Sequence, residues 1–488
     1  MNSAKLSMIR QLARAGDTER AWELFDQAGL ASETTHADTL TLKGRLFKDR
    51  ALKAAPGERS PLLRAAREAY LHAAESAPAT YPLINAATIA LLDGNRALAA
   101  EVAERVLAML DSGEHEAETA YWLAATRAEA WLLLGRNADA RAALADAVRQ
   151  APRAWEDHAS TLRHFRLIHD VIGQADDWLD AYRPPASLHF SGIIHIGADQ
   201  AGPARIAEAI GAIEPGFAFG ALAAGADIIA AEILLERNAE LHIVLPSTVE
   251  AFRRDSVSRF GIEWESRFDA ILDAADTVEL LDTLDQVSTA GIHVGDEIAM
   301  GMAIRKAAML ETGATALRIG EGARAHGSAL DAAWEKRGLP IRRVPLGRSE
   351  PDAPFVLPAF RREAVIAMPS RPEPSALTQA GGTIETIGGF TIARFTDPVT
   401  AAKAAVAEVE RRGTQLGIAY AAFDPAEDGP DRFDTAIRIA GTAYAGRVPV
   451  SRPMALALAL QAPELRCENF GTIASAQGDI ALSMLAPV

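Results

Sequence analysis

The sequence predicts a multidomain chain: an all-α segment over 1–182, an α/β segment with a parallel sheet over 186–346, and an α+β segment over 360–488. Three observations carry the division. A glycine, alanine and apolar spacing recurs through the first segment. The helical pattern then breaks at Arg183-Pro184-Pro185, and a second breaker-rich stretch runs from Gly347 to Pro358, with Pro351, Pro354 and Pro358. A chain of 488 residues has room for about three domains.

Composition narrows the class. Hydrophobic residues make up 49% of the chain, enough for several cores. The net charge of −16 argues against DNA, RNA or an anionic membrane as the main partner, since those need clustered Lys and Arg. The greasiest stretch, Phe217 to Leu235, is interrupted by Asp227 and Glu232, so no transmembrane span is expected. Met1-Asn2-Ser3-Ala4-Lys5-Leu6 leads into an amphipathic helix and has no apolar signal core. Cys467 is the single cysteine, which excludes an intramolecular disulfide and a cysteine metal cluster. A cytoplasmic location is the expectation.

In the first segment, Gly16, Ala21 and Phe25 recur in spacing as Gly94, Ala99 and Ala103, and again as Gly135, Ala140 and Leu144. A tight glycine turn, a small residue where two helices approach, and an apolar residue one turn later form the tetratricopeptide helix-pair pattern. Trp131-Leu132-Leu133-Leu134-Gly135 through Ala140 to Pro152 is the clearest unit. Gly44-Arg45-Leu46-Phe47-Lys48-Asp49 and Tyr81-Pro82-Leu83-Ile84-Asn85-Ala86-Ala87 resemble the TRAFs-binding regulatory domain of apoptosis-signal-regulating kinases, itself a tetratricopeptide-like array. Such an array either docks a protein partner on its concave surface or braces the neighbouring domains.

Past Pro185 the pattern changes. Leu188 to Gly197 reads as a buried strand, Ala204 to Ile213 as a helix, Gly220 to Asp227 as the opening of a helix over Ile228 to Arg237, and Leu241 to Pro246 as a strand. Strands alternating with helices imply a parallel sheet that binds ligands at the strand carboxyl ends. The Gly225-Ala226-Asp227-Ile228-Ile229-Ala230-Ala231-Glu232 run, Leu245-Pro246, Phe252, Ser256-Val257, Trp264 and Arg267-Phe268 resemble the Rossmann-like SLOG superfamily, in the variant found in bacterial proteins that join tetratricopeptides to cyclase domains. Relatives in that group end the first strand in Ser-Gly-His-Met-Ile-Asp. Here Ser191-Gly192 is kept and Ile193-Ile194 replaces His-Met. A later Trp-Asp-Gly and Gly-Gly-Thr loop appears as Gly320-Glu321-Gly322 and His326-Gly327-Ser328.

The resemblance implies a nucleotide-type ligand. Small residues let backbone amides approach a phosphate at a helix N-terminus, and Ser191, Gly192, Gly220, Gly225, Gly327 and Ser328 are the residues that could form such a pocket, with Asp227 beside them. The same glycines are also what the turns need simply to form. Asp227 and Glu232 could cap the helix, face solvent or contact a ribose. His195 reads as a packed core histidine.

In the third segment, Asp397 suits an N-cap and Pro398 a first helical turn, followed by an apolar face of Ala401, Ala402, Ala405, Val406 and Val409. Phe433-Asp434-Thr435-Ala436-Ile437-Arg438-Ile439 and Ala443-Tyr444-Ala445-Gly446-Arg447-Val448-Pro449-Val450-Ser451 resemble the catalytic domain of class III adenylate and guanylate cyclases. There the segment reads Val-Asn-x-x-x-Arg-Ile, then Ala-x-Pro-Gly-x-Ile-x-Val-Ser. Thr386 to Phe395 resembles the family's hairpin, and Gly417-Ile418-Ala419-Tyr420-Ala421-Ala422-Phe423 its Gly-Ile-His-x-Gly strand.

The resemblance implies a ferredoxin-like fold, and it makes Arg438 the match of the arginine that steadies phosphate charge, with Asp434 at the family's Asn position. Cyclases of this class hold two metal ions with two aspartates. The opening strand, Ala364 to Ser370, offers neither, and Gly389 stands at the hairpin aspartate. Arg438 is either a nucleotide contact or a helix arginine paired with Asp434 four residues earlier.

The order of the three segments matches a bacterial signalling architecture. The expectation is a signalling or regulatory protein without cyclase activity of its own, with no fixed cofactor and a nucleotide-derived ligand in its second domain. Two alternatives stand beside it. The chain could be a cyclase half completed by a cyclase-domain partner, a role a homodimer would not fill because neither copy brings the aspartates. It could also be a ligand-free scaffold.

Overall fold

The computed structural model describes residues 6–7, 9–10, 12–13, 18–194, 196, 201–281, 284–321, 329–348, 356–369, 375–424, 430–443, 446–474 and 479–486. The chain divides into two compact units, Met1–Pro184 and Pro185–Val488, so the helical run ends at the Pro184-Pro185 step.

Unit one is helical: α1 (Thr18–Gln27), α2 (Ala37–Lys53), α3 (Pro56–Ser76), α4 (Thr80–Leu92), α5 (Arg96–Ser112), α6 (Ala120–Leu133), α7 (Asn137–Gln150) and α8 (Trp155–Ile172). Successive helices pack on one another from α1 to α7, and α8 packs on α6 and α4. The repeat signature is visible as geometry. Gly94 (φ 81°) and Gly135 (φ 72°) close α4 and α6 in the left-handed region. The Gly94 amide donates to Leu91 O and Asn95 N to Ala90 O, and Gly135 N and Arg136 N donate in the same way to Leu132 O and Trp131 O. Both ends are Schellman motifs. Behind them Ala99, Ala103, Ala140 and Leu144 are buried where the next helix crosses, as are Ala21 and Phe25 on α1, while Gly16 lies outside the described residues. Gly44 sits inside α2, where glycine costs about 1 kcal/mol against alanine, because a Cβ there would lie 2.7 Å from the Tyr70 ring of α3.

Unit two holds two sheets. The first contains β1 (Ala186–Gly192), β2 (Pro215–Gly220), β3 (Glu240–Leu245), β4 (Thr277–Leu280), β5 (Ala314–Gly320) and β6 (Ile341–Pro345), all parallel, in the order β4-β3-β2-β1-β5-β6. Between them run α9 (Gly202–Gly211), α10 (Ala226–Glu236), α11 (Val249–Ser256), α12 (Ile262–Ala274), α13 (Thr289–Leu310) and α14 (Ala329–Lys336). β1 stops at Gly192, short of the Gly197 that the apolar run suggested, because the Asp227 side chain takes the Gly192 amide. Gly220, expected to open a helix, instead closes β2, and the helix begins at Ala226; Leu188, Phe190, Ala218, Leu241 and Ile243 form one core beside the strand.

The second sheet is mixed, in the order β12-β13-β11-β10-β7-β9-β8. Its strands are β7 (Arg361–Pro369), β8 (Thr383–Ile387), β9 (Phe390–Phe395), β10 (Gly417–Phe423), β11 (Val448–Ser451), β12 (Arg466–Ile473) and β13 (Ile480–Ala486). The connecting helices are α15 (Ser375–Gln379), α16 (Pro398–Arg412), α17 (Asp434–Ala440) and α18 (Arg452–Gln461). Asp397 accepts from Thr400 N at 2.8 Å with Pro398 in the first turn of α16, and Ala401, Ala402, Ala405 and Val409 are buried beneath it. Gly417 opens β10 where a Cβ would meet Ala440 N of α17 at 2.4 Å. α13 is shared by the two layers. It packs on β1, β2, β3 and β5 of the parallel sheet and on β7, β10 and α18 of the mixed one.

Candidate functional site

The parallel sheet reverses its order between β1 and β5, the position where open α/β sheets bind ligands beyond the strand carboxyl ends. Ser191 pairs with Arg318 and Gly192 with Ile319 across that seam. Asp227, in the first turn of α10, folds back on the seam. Its Oδ1 accepts from Gly192 N at 2.7 Å and its Oδ2 from Ala223 N at 3.2 Å. Burial pushes the Asp227 carboxyl up to about 8, against the pull of those two amides and with the nearby Asp296 adding to the rise. The Asp227 carboxyl therefore occupies the amide that the sequence offered to a phosphate.

Each described glycine of the expected pocket has a structural reason, either packing or backbone conformation. A Cβ on Gly192 would lie 2.3 Å from Ala226 Cβ, and one on Gly220 would lie 2.5 Å from Phe190 O. Gly225 precedes α10 at φ 104° and ψ −120°, a conformation open to glycine alone. Glu232 faces Arg267 of α12 in a bidentate pair at 2.5 and 2.7 Å. His195, Gly322, His326, Gly327 and Ser328 lie outside the described residues.

Sequence reasoning missed a buried polar set under the same seam. Arg318 of β5 donates from Nε to Asp331 Oδ1 at 2.8 Å and from Nη1 to His189 Nδ1 at 2.7 Å, and its Nη2 lies 3.6 Å from Met300 Sδ. With Nδ1 accepting, the His189 proton sits on Nε2, 3.7 Å from Asp296 Oδ1 on α13. Burial first, then the Arg318 charge, lower the His189 pKa and hold the ring neutral. Only His189, in an apolar run, hinted at this in the sequence, since its partners lie far along the chain.

In the mixed sheet, β8 and β9 form a hairpin closed by Gly388 (φ 57°) and Gly389 (φ 83°) between the paired Ile387 and Phe390. Two positive φ values in a two-residue loop define a type I′ turn. Beside it, β7 ends with Met368 opposite Thr391 and Pro369 opposite Phe390. The hairpin and the strand end are thus neighbours, and Met368, Pro369 and Gly389 bring no carboxylate to the place; Ser370 lies outside the described residues.

On α17, Arg438 donates from Nε to Asp434 Oδ2 at 2.5 Å, and each side chain is 38% exposed. Nearby on the sheet, Arg394 lies 3.1 Å from Glu385 and 3.5 Å from Glu363, and Arg432 lies 3.7 Å from Glu385. Ser451 caps α18 through Met454 N and accepts from Tyr420 N at 3.2 Å. Tyr444 and Ala445 lie outside the described residues. Among the described residues, no group of three or more His, Cys, Asp or Glu side chains is gathered to hold a metal, and no helix is long and apolar enough to cross a membrane.

Residues 3–90 match a family model described as Tetratricopeptide Repeats-Sensor, a likeness that falls on the tetratricopeptide-like helical region at the N-terminus. No curated protein matches the chain. A solved structure titled Crystal Structure of Adenylate/Guanylate Cyclase/Hydrolase, from Silicibacter pomeroyi, is similar at 16% identity over 26% of this chain and 98% of its own, with a TM-score of 0.21. A score that low decides nothing about this chain.

Proposed function

We propose that the chain is a cytoplasmic signalling or regulatory protein. Its tetratricopeptide array docks a protein partner, a Rossmann-like module of the SLOG type spans 186–346 and receives a nucleotide-derived ligand, and a ferredoxin-like cyclase-type module at 360–488 has no catalysis of its own. The observation that carries the reading is the register of the mixed sheet. It juxtaposes the end of β7 with the β8–β9 turn, where the family's two aspartates would meet, and Pro369 faces Phe390 beside Gly389. Among the described residues at that corner, none brings a carboxylate that could hold a metal against a ribose hydroxyl.

Topology supports the cyclase-type reading independently of the motifs. β7, α15, β8, β9, α16 and β10 follow in a βαββαβ order, and β10-β7-β9-β8 lie side by side with every neighbour antiparallel, as in a ferredoxin-like sheet. The reversal of strand order at β1 and β5 supports a ligand at that seam, entering over Ser191 and the Asp227 carboxyl. The match of residues 3–90 to a sensor-type repeat family supports the docking role. The TRAFs-binding likeness of the Gly44 and Tyr81 runs belongs to the same reading.

A second reading, a half-site completed by a partner chain that brings both aspartates, is favoured by the exposure of Arg438. An exposed i,i+4 pair is worth about 0.3–0.5 kcal/mol, so a triphosphate could displace Asp434 at little cost.

The test is an assay of the purified full chain with ATP or GTP and Mn²⁺, read by mass spectrometry of cyclic nucleotides. No product above the protein-free control is expected. Product that disappears in Arg438→Ala would overturn the inactive reading, and product seen only after adding an intact cyclase domain would favour the half-site.

A further inference from the structure

We propose that α13 is the element through which a displacement at the carboxyl ends of β1 and β5 is passed to the mixed sheet. The inference stands apart from what either sheet binds. α13 meets the two sheets along two stripes. Asp296 and Met300, one turn apart, face His189 and Arg318 under the β1/β5 seam. His293, Glu297, Gly301 and Arg305, each four residues from the last, face the other layer, and Lys306 lies over the Phe217 ring of β2 at 4.4 Å.

The stripe against the mixed sheet is locked. A Cβ on Gly301 would lie 2.3 Å from Leu456 O, so the backbones of α13 and α18 touch with no side-chain layer between them. A rotamer change cannot absorb relative motion there, because packed backbones move together or not at all. One residue after Asp296, the fully buried Glu297 accepts from Tyr420 Oη of β10 at 2.6 Å and from Gln461 Nε2 of α18, with Arg362 of β7 at 3.8 Å. Pulling Glu297 from these partners would leave a buried carboxylate unpaired, among the costliest losses a core can suffer. Arg305 reaches Asn469 of β12 at 3.0 Å, and Arg452 at the start of α18 holds both Glu279 oxygens of β4 at 3.1 Å. A change that moves Asp296 or Met300 therefore drags Tyr420 and α18 with it.

The test is hydrogen exchange with mass spectrometry on the intact chain. Tyr420→Phe removes one hydroxyl from the mixed-sheet end of the connection. Peptides covering 186–194 and 314–321 are expected to exchange at least about fivefold faster, the low end of coupling between linked sites. Asp296→Asn is expected to do the same to 417–423 and 452–461. Ile392→Val, on the opposite face of the mixed sheet, is expected to leave 186–194 and 314–321 unchanged. If Tyr420→Phe does not fold, Gln461→Ala probes the same carboxylate. Faster exchange confined to β10, α13 and α18 would overturn the proposal, and so would an Ile392→Val variant that loosens the β1/β5 end equally.

Discussion

Arg438 Nε donates to Asp434 Oδ2 at 2.5 Å, one helical turn back along α17. The residue that matches a catalytic arginine is thereby held by its own helix, on a surface where both side chains are 38% exposed. Such a pair contributes little to stability whatever it does in function. Arg438→Ala is expected to change the unfolding free energy by no more than about 0.5 kcal/mol in urea titration. A loss of about 2 kcal/mol or more would mean that Arg438 holds the fold, which the geometry does not suggest.

Asp227 makes stability depend on pH. Its folded pKa is raised to about 8 from the ordinary aspartate value of 3.8, so between these values the folded chain binds more protons than the unfolded one. Stability is therefore lost as pH rises through that window, at up to about 1.4 kcal/mol per pH unit for one group. Asp227→Asn still accepts from one amide and cannot ionise, so its stability relative to wild type should rise from pH 5 to pH 8 in parallel urea titrations. Equal pH slopes in the two proteins would show that Asp227 is already ionised at pH 5.

Gly301 and Gly313 separate close packing from mere flexibility. Gly301→Ala forces a Cβ against the α18 backbone and is expected to cost about 1–3 kcal/mol as an overpacked core. Gly313, at the approach to β5, has open space where a Cβ would go and no positive φ. Gly313→Ala is expected to be neutral, or to stabilise by about 0.4–1 kcal/mol through the unfolded chain. Thermal midpoints of the two variants check both signs.

In the helical array, Gly44→Ala is expected to lower the thermal midpoint through the Tyr70 clash, again by about 1–3 kcal/mol. Pairing it with Tyr70→Leu, which trades the ring for a smaller side chain, should recover part of that loss. No recovery would mean that the ring is not the obstacle.

What the sequence discloses is what short-range chemistry decides. Gly94 and Gly135 with the alanines that follow, Asp397-Pro398 at a helix start, and Gly388-Gly389 in a hairpin all act within a few residues, and all were legible. β2 was not, because Pro215–Gly220 is almost wholly buried and shows no alternation. α13 lies between two layers, so it lacks the polar face that gives a helix its period, and its Glu297 is fully buried. The Arg318, Asp331 and His189 set joins β1 to β5 and α14 and has no local signature. The packing of α13 against the sheets on both sides of the proline-rich stretch after Gly347 joins residues far apart in the chain and likewise has no local signature.

The most direct measurement is thermal unfolding of the full chain against ATP, GTP, cyclic nucleotides, NAD and ADP-ribose, each with and without Mn²⁺. A ligand present at 100 times its dissociation constant adds about 2.7 kcal/mol to the state that binds it. The account predicts stabilisation by a nucleotide-derived ligand that does not require Mn²⁺. Stabilisation by a triphosphate only when Mn²⁺ is present would contradict it, because the corner formed by Pro369, Phe390 and Gly389 would then be holding metal after all.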